Sequence, residues 1–224
     1  MRLEGGLQGL LENGKWNAKA YFYDSGKGIP GAIVSNVWKR PQRQWDRNFF
    51  LQGSLVETWH ATSKMETQIN VKYANDWMRY LSPDTTSGMY IDNRFTQQEI
   101  YASIANKYAI LSNWDVNLSA DYQENILGSS LKNVVYLLRT TALVALATAF
   151  EWQQLKAQAS LLGTFVHETV DSVGDKQEYT PSVFLSYKPF QHHDFNLRAF
   201  YKRIFRMPTF NDLYYTEISG GIWV

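Results

Sequence analysis

The sequence of 224 residues contains no cysteine. It therefore forms no disulfide bond, no thiolate metal site and no cysteine nucleophile. Its formal net charge is only +1, so charge gives no reason to expect a nucleic-acid partner or an acidic substrate. These absences exclude several kinds of site without identifying the fold.

Signals for targeting and for membrane helices are also missing. Residues Met1 to Gly6 contain no basic segment followed by an apolar one, so they do not form a secretory signal peptide. The most apolar run, Ala142 to Phe150, lies between Arg139 and Glu151 and is far shorter than the about 20 residues of a transmembrane helix. Good helix formers fill this run, so a buried helix and a strand both remain open for Leu131 to Phe150.

Catalytic motifs are not found either. None of the four histidines has metal-ligand spacing, since His167-Glu168 is not followed by the second histidine of an H-E-x-x-H motif. His192-His193-Asp194 is interpreted as a solvated turn. The sequence has no phosphate-binding loop, no dinucleotide-binding glycine pattern and no G-x-S-x-G element. We therefore predict no catalytic residue, no metal, no cofactor and no enzymatic activity.

Alternating polar and apolar residues dominate what is present. Aromatic residues make up 15% of the sequence, and their abundance favours β-strands. In Met65 to Tyr80, for example, Ile69 falls on one face and Gln68 on the other, which is the period of a strand with one apolar face. The same alternation recurs in Trp16 to Tyr23, Gln97 to Leu111, Trp114 to Asn125 and Leu155 to Val170.

The length of these runs favours a membrane protein. Several runs exceed the about 5–6 residues of a soluble strand and reach the about 9–11 residues that a tilted strand needs to cross a bilayer. Tryptophans near the ends of the runs are candidates for aromatic girdles at membrane interfaces, or for ordinary core packing. They are Trp16, Trp59, Trp77, Trp114 and Trp152.

The breaks between the runs alternate in length. We predict short turns at His60 to Lys64, Leu111 to Asn113, Gln153-Gln154 and Pro189 to His193. We predict long loops at Asp24 to Asp46, Leu81 to Arg94 and Asp171 to Glu178, with Gly128 to Leu131 as a short exception. Because this asymmetry is typical of outer-membrane barrels, we predict an all-β fold: an antiparallel meander of about nine long strands that is part of a transmembrane β-barrel.

The last alternating run ends in a distinctive motif. We predict a strand from Asp194 to Arg206, which ends at Met207-Pro208 because proline cannot donate to a strand ladder. The run FRMPTFNDLYY, which begins at Phe205, resembles the signature of TonB-dependent outer-membrane receptors. In that family the signature lies where a strand of the barrel reaches the outer rim. The resemblance assigns this position to Phe205, Arg206, Pro208, Thr209, Phe210, Asn211, Asp212, Leu213, Tyr214 and Tyr215.

The resemblance implies a fold and a function for the whole chain. It implies one partial barrel domain over residues 1–224, an internal piece of a barrel of about 22 strands. The plug domain and the short box that contacts TonB are not visible in the sequence. The complete receptor is expected to lie in the outer membrane of a Gram-negative cell. There it imports a scarce nutrient, such as chelated iron, a cobalamin or a glycan.

The partners follow from the same resemblance. They are outer-membrane lipid, the small-molecule or glycan ligand of the full receptor, and the TonB complex, which acts only through the missing plug. No nucleic acid is expected, the ligand-binding residues remain unknown, and the chain alone is expected to be inactive in transport. The alternative is a soluble all-β module that binds a glycan or another ligand and needs no detergent.

Overall fold

A computed structural model describes residues 1–29, 42–59, 64–84, 89–130, 137–169, 175–190 and 195–207. All regular structure in these ranges is β-strand. The ten strands are β1 Arg2–Leu11, β2 Gly14–Ile29, β3 Gln42–Trp59, β4 Met65–Asp84, β5 Met89–Leu111, β6 Trp114–Ser129, β7 Leu137–Trp152, β8 Leu155–Glu168, β9 Lys176–Tyr187 and β10 Leu197–Lys202. Within the described ranges, no helix is long enough and apolar enough to cross a membrane.

The strands form a single antiparallel meander. Each strand pairs with the next one in the chain, in the order β1 to β10. In the described residues β1 and β10 do not pair with each other, so the sheet is open and has two edges. The predicted all-β meander is confirmed, and it contains ten strands.

The strand that the alternation did not predict is β1. Its glycines at positions 5, 6 and 9 dilute the apolar pattern, and glycine inside a strand weakens the strand on its own. Pairing compensates, because β1 is in register with β2 from Arg2↔Tyr23 to Leu11↔Gly14. The indole of Trp16 covers Gly9 so closely that a side chain at this glycine would collide with it. The strand is therefore specified by its neighbour more than by its own sequence.

The ladder registers divide the side chains into two faces of opposite character. On one face, a register row across β3 to β8 reads Leu55, Ile69, Ile104, Ala120, Val144 and Gly163. On the other face, the neighbouring row reads Ser54, Asn70, Ser103, Asp121, Leu143 and Thr164. We call these the apolar face and the polar face. They are the faces that the alternation predicts for the runs in β4, β5 and β6.

A band whose only charged residue in strands β1 to β9 is Glu57 crosses the apolar face. In β6 it extends from Trp114 to Tyr122, about nine residues, which is the span that a tilted strand needs to cross a bilayer. Aliphatic side chains of the band are exposed, with Leu118 at 52% and Leu146 at 53% of full exposure. Aromatic residues line its lower edge, next to the short turns (Trp16, Trp59, Tyr108, Trp114, Trp152, Tyr187), and its upper edge (Phe22, Phe49, Tyr73, Tyr122, Tyr179). Of the tryptophans predicted for girdles, Trp77 lies above the upper edge.

The strand bounds revise the predicted connections. β4 continues to Asp84 and β5 begins at Met89, so the long loop predicted at Leu81 to Arg94 was wrong. Pro83 and the polar residues around it extend the ladder because β5 pairs with them in register. Gly128 to Leu131 is not a short exception, since β6 ends at Ser129 and β7 begins only at Leu137.

Three of the remaining connections can be compared with expectation, whereas His60 to Lys64, Asp171 to Glu178 and Pro189 to His193 lie partly outside the described residues. The predicted turns at Leu111 to Asn113 and Gln153-Gln154 are confirmed, because β5 ends at Leu111 with β6 starting at Trp114, and β7 ends at Trp152 with β8 starting at Leu155. The long break predicted at Asp24 to Asp46 is narrower, because β2 extends to Ile29 and β3 starts at Gln42.

The ambiguous apolar run is a strand. Ala142 to Phe150 lies inside β7, and residues 131–136 of the same ambiguous stretch lie outside the described ranges. β7 is hydrogen-bonded on both sides, to β6 and to β8, so the ladder overrides the helix propensity of its alanines. On the polar face β7 presents Leu143 and small alanines, which explains why both faces are apolar in the sequence.

The last strand is shorter than predicted. A strand was expected from Asp194 to Arg206, but β10 covers only Leu197–Lys202. One further ladder bond follows, from the Arg203 N–H to the Pro181 carbonyl at 3.1 Å. The strand therefore ends before Met207-Pro208, because β9 is its only partner in the described residues and an edge strand has half the ladder of a central one.

The two faces predict opposite responses to a single charge. Ile69→Lys and Leu118→Lys place an ammonium on the apolar face and should lower the free energy of unfolding in lipid vesicles by about 2–4 kcal/mol if the band lies at mid-membrane. Gln68→Lys and Asn117→Lys are matched controls on the polar face and should stay close to the parent protein. Urea titration of vesicle-inserted protein measures all four variants. Equal losses on both faces would contradict the assignment.

Candidate functional site on the polar face

The polar face carries a series of cross-strand pairs between β3, β4, β5 and β6. Side chains that the register places opposite or next to each other bond directly, and residues far apart in the sequence become neighbours. The pairs are Asn48–Asp76 at 2.7 Å, Asn70–Ser103 at 3.0 Å, Lys72–Glu99 at 3.0 Å, Tyr101–Asp121 at 3.1 Å and Lys107–Asp115 at 3.2 Å.

These pairs give the polar face a mixed charge. Lys72 and Lys107 each pair with a carboxylate, whereas Asp76 and Asp121 pair with neutral side chains, so the charges of these pairs compensate each other only in part. The Lys72 and Glu99 side chains keep 34% and 21% of their exposure, and a half-exposed pair of this kind contributes only about 0–1 kcal/mol of stability. The pairs therefore make a hydrated wall with many hydrogen-bonding groups, and they do not form a core.

A shallow hollow lies on this face toward the lower end of β7. Its volume is about 550 Å³, and its lining includes Lys107, Asp115, Ala147, Ala149, Ser160 and Lys202. The hollow exists because β7 contributes only alanine methyl groups at Ala147 and Ala149, whereas its neighbours contribute longer polar side chains. It offers cationic, anionic and hydroxyl groups around a small apolar floor.

One ion pair of the polar face is buried. Arg139 Nε donates to Glu168 Oε1 at 2.5 Å, and the two side chains keep 9% and 0% of their exposure. Glu168 Oε2 is also buried and has no hydrogen-bond partner among the described residues. Leu137 and Val166 are buried nearby in the same two strands, β7 and β8. This pair ties the upper ends of β7 and β8 together at a desolvated point.

The predicted signature residues are only partly described. Phe205 is half-buried and Arg206 is exposed, just beyond the end of β10. Pro208, Thr209, Phe210, Asn211, Asp212, Leu213, Tyr214 and Tyr215 lie outside the described residues. Their assignment to the outer rim therefore stays a prediction.

No metal centre is built from the described residues, where no group of three or more acidic, histidine or cysteine side chains is placed to hold an ion. His167 Nδ1 lies 2.5 Å from Asp175 Oδ1, on an exposed surface. His192 and His193 fall outside the described ranges. The prediction that the chain is not an enzyme remains a prediction.

Sequence reasoning found the polar face but missed its pairs. Arg139 and Glu168 lie 29 positions apart, and only the register of β7 against β8 brings them together. A usable signal was present, because each residue is a charge at the upper end of a strand whose only other charge on that face lies at its lower end, Glu151 in β7 and Lys156 in β8.

Comparison with known proteins identifies the family to which this sheet belongs. A family model described as TonB dependent receptor-like, beta-barrel, matches residues 5–222. The chain belongs to this TonB-dependent receptor-like barrel family. The resemblance seen in the run FRMPTFNDLYY is thereby confirmed at the level of the family, over nearly the whole chain. No curated protein matches the sequence.

Solved structures include a similar chain. It is the FrpB iron transporter from Neisseria meningitidis (F3-3 variant), with 10% sequence identity and a TM-score of 0.48. The match covers 90% of this chain and 45% of that one. The present chain therefore spans less than half the length of that transporter.

The buried ion pair gives a stability prediction. Arg139→Met leaves the Glu168 carboxylate buried without its partner and should lower the free energy of unfolding by about 3–5 kcal/mol. The double variant Arg139→Met/Glu168→Leu removes both charges and should recover most of the loss. Urea titration in vesicles or detergent measures each variant.

The control for this prediction is the exposed pair Lys156–Glu151, whose side chains keep 60% and 63% of their exposure. Lys156→Met should cost only about 0–1 kcal/mol. A double variant as unstable as Arg139→Met alone would show that the loss comes from packing and not from the uncompensated charge.

Proposed function

We propose that this chain forms part of the wall of an outer-membrane receptor barrel that imports a scarce nutrient. The observation that carries the proposal is the band on the apolar face, which has aromatic residues at both edges and Glu57 as its only charge in strands β1 to β9, and which is held in register across the sheet. Membership of the TonB-dependent receptor-like barrel family supports it. The band contacts lipid, and the polar face lines the interior of the barrel.

The exposure of the band supports a membrane location over the soluble alternative. Leu51, Leu118 and Leu146 are each about half exposed, and each is one of many apolar side chains on a continuous surface. A soluble protein rarely exposes an apolar patch larger than a few hundred Å². In a bilayer the same surface is stabilised, and the backbone ladder leaves no amide or carbonyl unpaired inside the sheet.

Further strands complete the barrel in this proposal. The sheet has two open edges, β1 and β10, and an open edge within hydrocarbon leaves a row of backbone groups unpaired. Strands added at both edges remove this cost. The chain is then a partial barrel domain, consistent with its coverage of 45% of the FrpB chain.

The polar face is the side that meets the other parts of the receptor. A plug domain inside the barrel contacts the paired lysines and carboxylates. The hollow above Ala147 and Ala149 of β7 gives a side chain of the plug room to dock. TonB acts through that plug. The imported ligand is a chelated iron, a cobalamin or a glycan, and the signature from Phe205 to Tyr215 lies at the outer rim.

The connections set the orientation of the barrel. Short turns such as Ser112-Asn113 and Gln153-Gln154 lie at the lower end, which faces the periplasm because periplasmic turns of these barrels are short. The upper end, with the longer breaks after Ile29 and Ser129, faces outside the cell.

Cysteine labelling tests the location and the orientation together, because the chain has no native cysteine. Ser130→Cys lies at the upper end and Asn13→Cys in a lower turn, and both side chains are exposed. In the whole protein on intact cells, a membrane-impermeant maleimide should label Ser130→Cys and leave Asn13→Cys unlabelled. Lysed cells provide the control, in which both variants react.

Two other outcomes would contradict parts of the proposal. Labelling of Asn13→Cys alone would reverse the orientation and keep the barrel. A protein found in the soluble fraction, labelled equally at both positions, would instead support the soluble binding module.

A further inference from the structure

A group of arginines and tryptophans lies on the apolar face, above the upper edge of the band. It occupies the upper parts of β3, β4 and β5, and we call it the arginine–tryptophan cluster. Its members are Arg43, Trp45, Arg47, Trp77, Arg79 and Arg94. Arg47 is the next residue on this face after Phe49, so the cluster begins where the band ends.

The strand register places each of two arginines opposite a tryptophan. Trp45 pairs with Arg79, and Arg47 pairs with Trp77, on the two facing strands. The Arg79 guanidinium lies 5.3 Å from the centre of the Trp45 ring, and the Arg47 guanidinium lies 5.8 Å from the Trp77 ring. Gly26, opposite Trp45, leaves room for the indole, whose Cδ1 would lie 3.0 Å from a Cβ at this glycine.

The carboxylates of the same surface balance only part of this charge. Arg47 Nε donates to Asp24 at 2.8 Å, and Arg79 donates two hydrogen bonds to Asp92, at 2.8 and 2.7 Å. Those bonds, made above the band, hold the pKa of the Asp92 carboxyl below its ordinary value, so Asp92 is charged. Among the described residues of β2 to β5, four arginines therefore face two aspartates, an excess of two positive charges, and Glu124 on the same face of β6 reduces this excess to one.

Within β2 to β5 the choice of cation separates the two faces, whereas Arg139 of β7 lies on the polar face. In the described strands β2 to β5, every arginine lies on the apolar face and every lysine lies on the polar face, among them Lys19, Lys27, Lys72 and Lys107. Arginine binds phosphate oxygens with a planar, bidentate fork and stacks on aromatic rings, which lysine does not do in the same way. The cluster thus has the residue type suited to phosphate, placed at the level of the lipid head groups.

We propose that the arginine–tryptophan cluster binds the phosphate groups of an anionic glycolipid in the outer leaflet of the membrane. The proposal rests on the proposed function, since it needs the band to lie in lipid. Arg47 and Arg94 are the main hydrogen-bond donors to the phosphates, because their side chains keep 60% and 57% of their exposure. Trp45 and Trp77 pack against the upper part of the acyl chains and hold the guanidinium groups in place.

The position of the cluster favours a lipid over other anions. The acyl chains of a bound glycolipid lie along the band, and its phosphates then reach the level of Arg47, the first charged residue above Phe49. A free phosphate ion gains only the charge contacts, and an acidic protein segment gains no contact with the band. The lipid therefore contacts both the band and the arginine–tryptophan cluster, whereas each of the other ligands contacts only the cluster.

Native mass spectrometry of the whole protein in mild detergent tests the proposal. The probe is lipid A with two phosphates, and the comparison lipid is the same molecule without phosphates. The unaltered protein should retain the phosphorylated form preferentially. Arg47→Gln/Arg94→Gln should weaken its binding about 25-fold, because each basic residue near an anionic surface contributes a factor of about five.

Lys27→Gln/Lys107→Gln is the matched control. These lysines lie on the polar face, each also pairs with an aspartate, and their side chains keep 47% and 54% of their exposure. The control removes the same charge and should leave lipid A binding unchanged. Arg47→Lys/Arg94→Lys keeps the charge but removes the bidentate guanidinium groups. Its loss of lipid A binding should lie between those of the control and the glutamine variant.

Several results would overturn the proposal. Equal losses in the glutamine variant and the control would show a general charge effect, and equal retention of the two lipids would remove the role of phosphate. Competition by inorganic phosphate at the same concentration as lipid A would indicate a simple anion site. If the glutamine variant inserts into membranes and still binds lipid A fully, this inference fails while the proposed function stands. If the unaltered protein is not in the membrane, the proposed function itself fails.

Discussion

The antiparallel backbone register is the constraint on which every other feature of this sheet depends. The side-chain period of a strand is two, so a slip by one residue would exchange the apolar and polar faces of that strand. Between β2 and β9 the registers are continuous, apart from one irregularity between Ala109 and Leu111. One choice of pairing therefore determines the band, the paired lysines and carboxylates, and the arginine–tryptophan cluster together.

Strand length adds a second level to this arrangement. β5 has 23 residues, whereas about 9–11 suffice to cross a bilayer, so the strands continue well above the band. The alternation persists there, but the side chains on the apolar face change from leucine and isoleucine to arginine, tryptophan and aspartate. The change from Phe49 to Arg47 marks the boundary between a surface suited to lipid and a surface suited to water, on one continuous strand ladder.

The sequence predicts those parts of the fold that are local. Alternation identifies β4, β5 and β6 and their faces, because each residue reports its own burial. Alternation does not predict β1, because glycines there dilute the apolar pattern. It also misplaces the connection between β4 and β5, because Pro83 pairs with Tyr90 of the other strand. The Arg139–Glu168 pair was missed for the same reason: it is a property of two strands, and the sequence shows only the two separate charges. The signature after Arg206 was identified by resemblance and not by physics.

The two faces handle charge in different ways, and this difference separates their roles. On the polar face, lysines such as Lys72 and Lys107 pair with carboxylates of neighbouring strands, so that face presents paired hydrogen-bonding groups. On the apolar face, Asp24 and Asp92 balance only part of the cluster. Under the proposed function the remaining positive charge lies next to lipid, where arginine can reach a head group while its ring partners remain at the edge of the band. A phosphate at that position would supply the counter-charge that the described side chains of the cluster do not, and the proposed lipid contact would in this way follow from the arrangement of charge on the sheet.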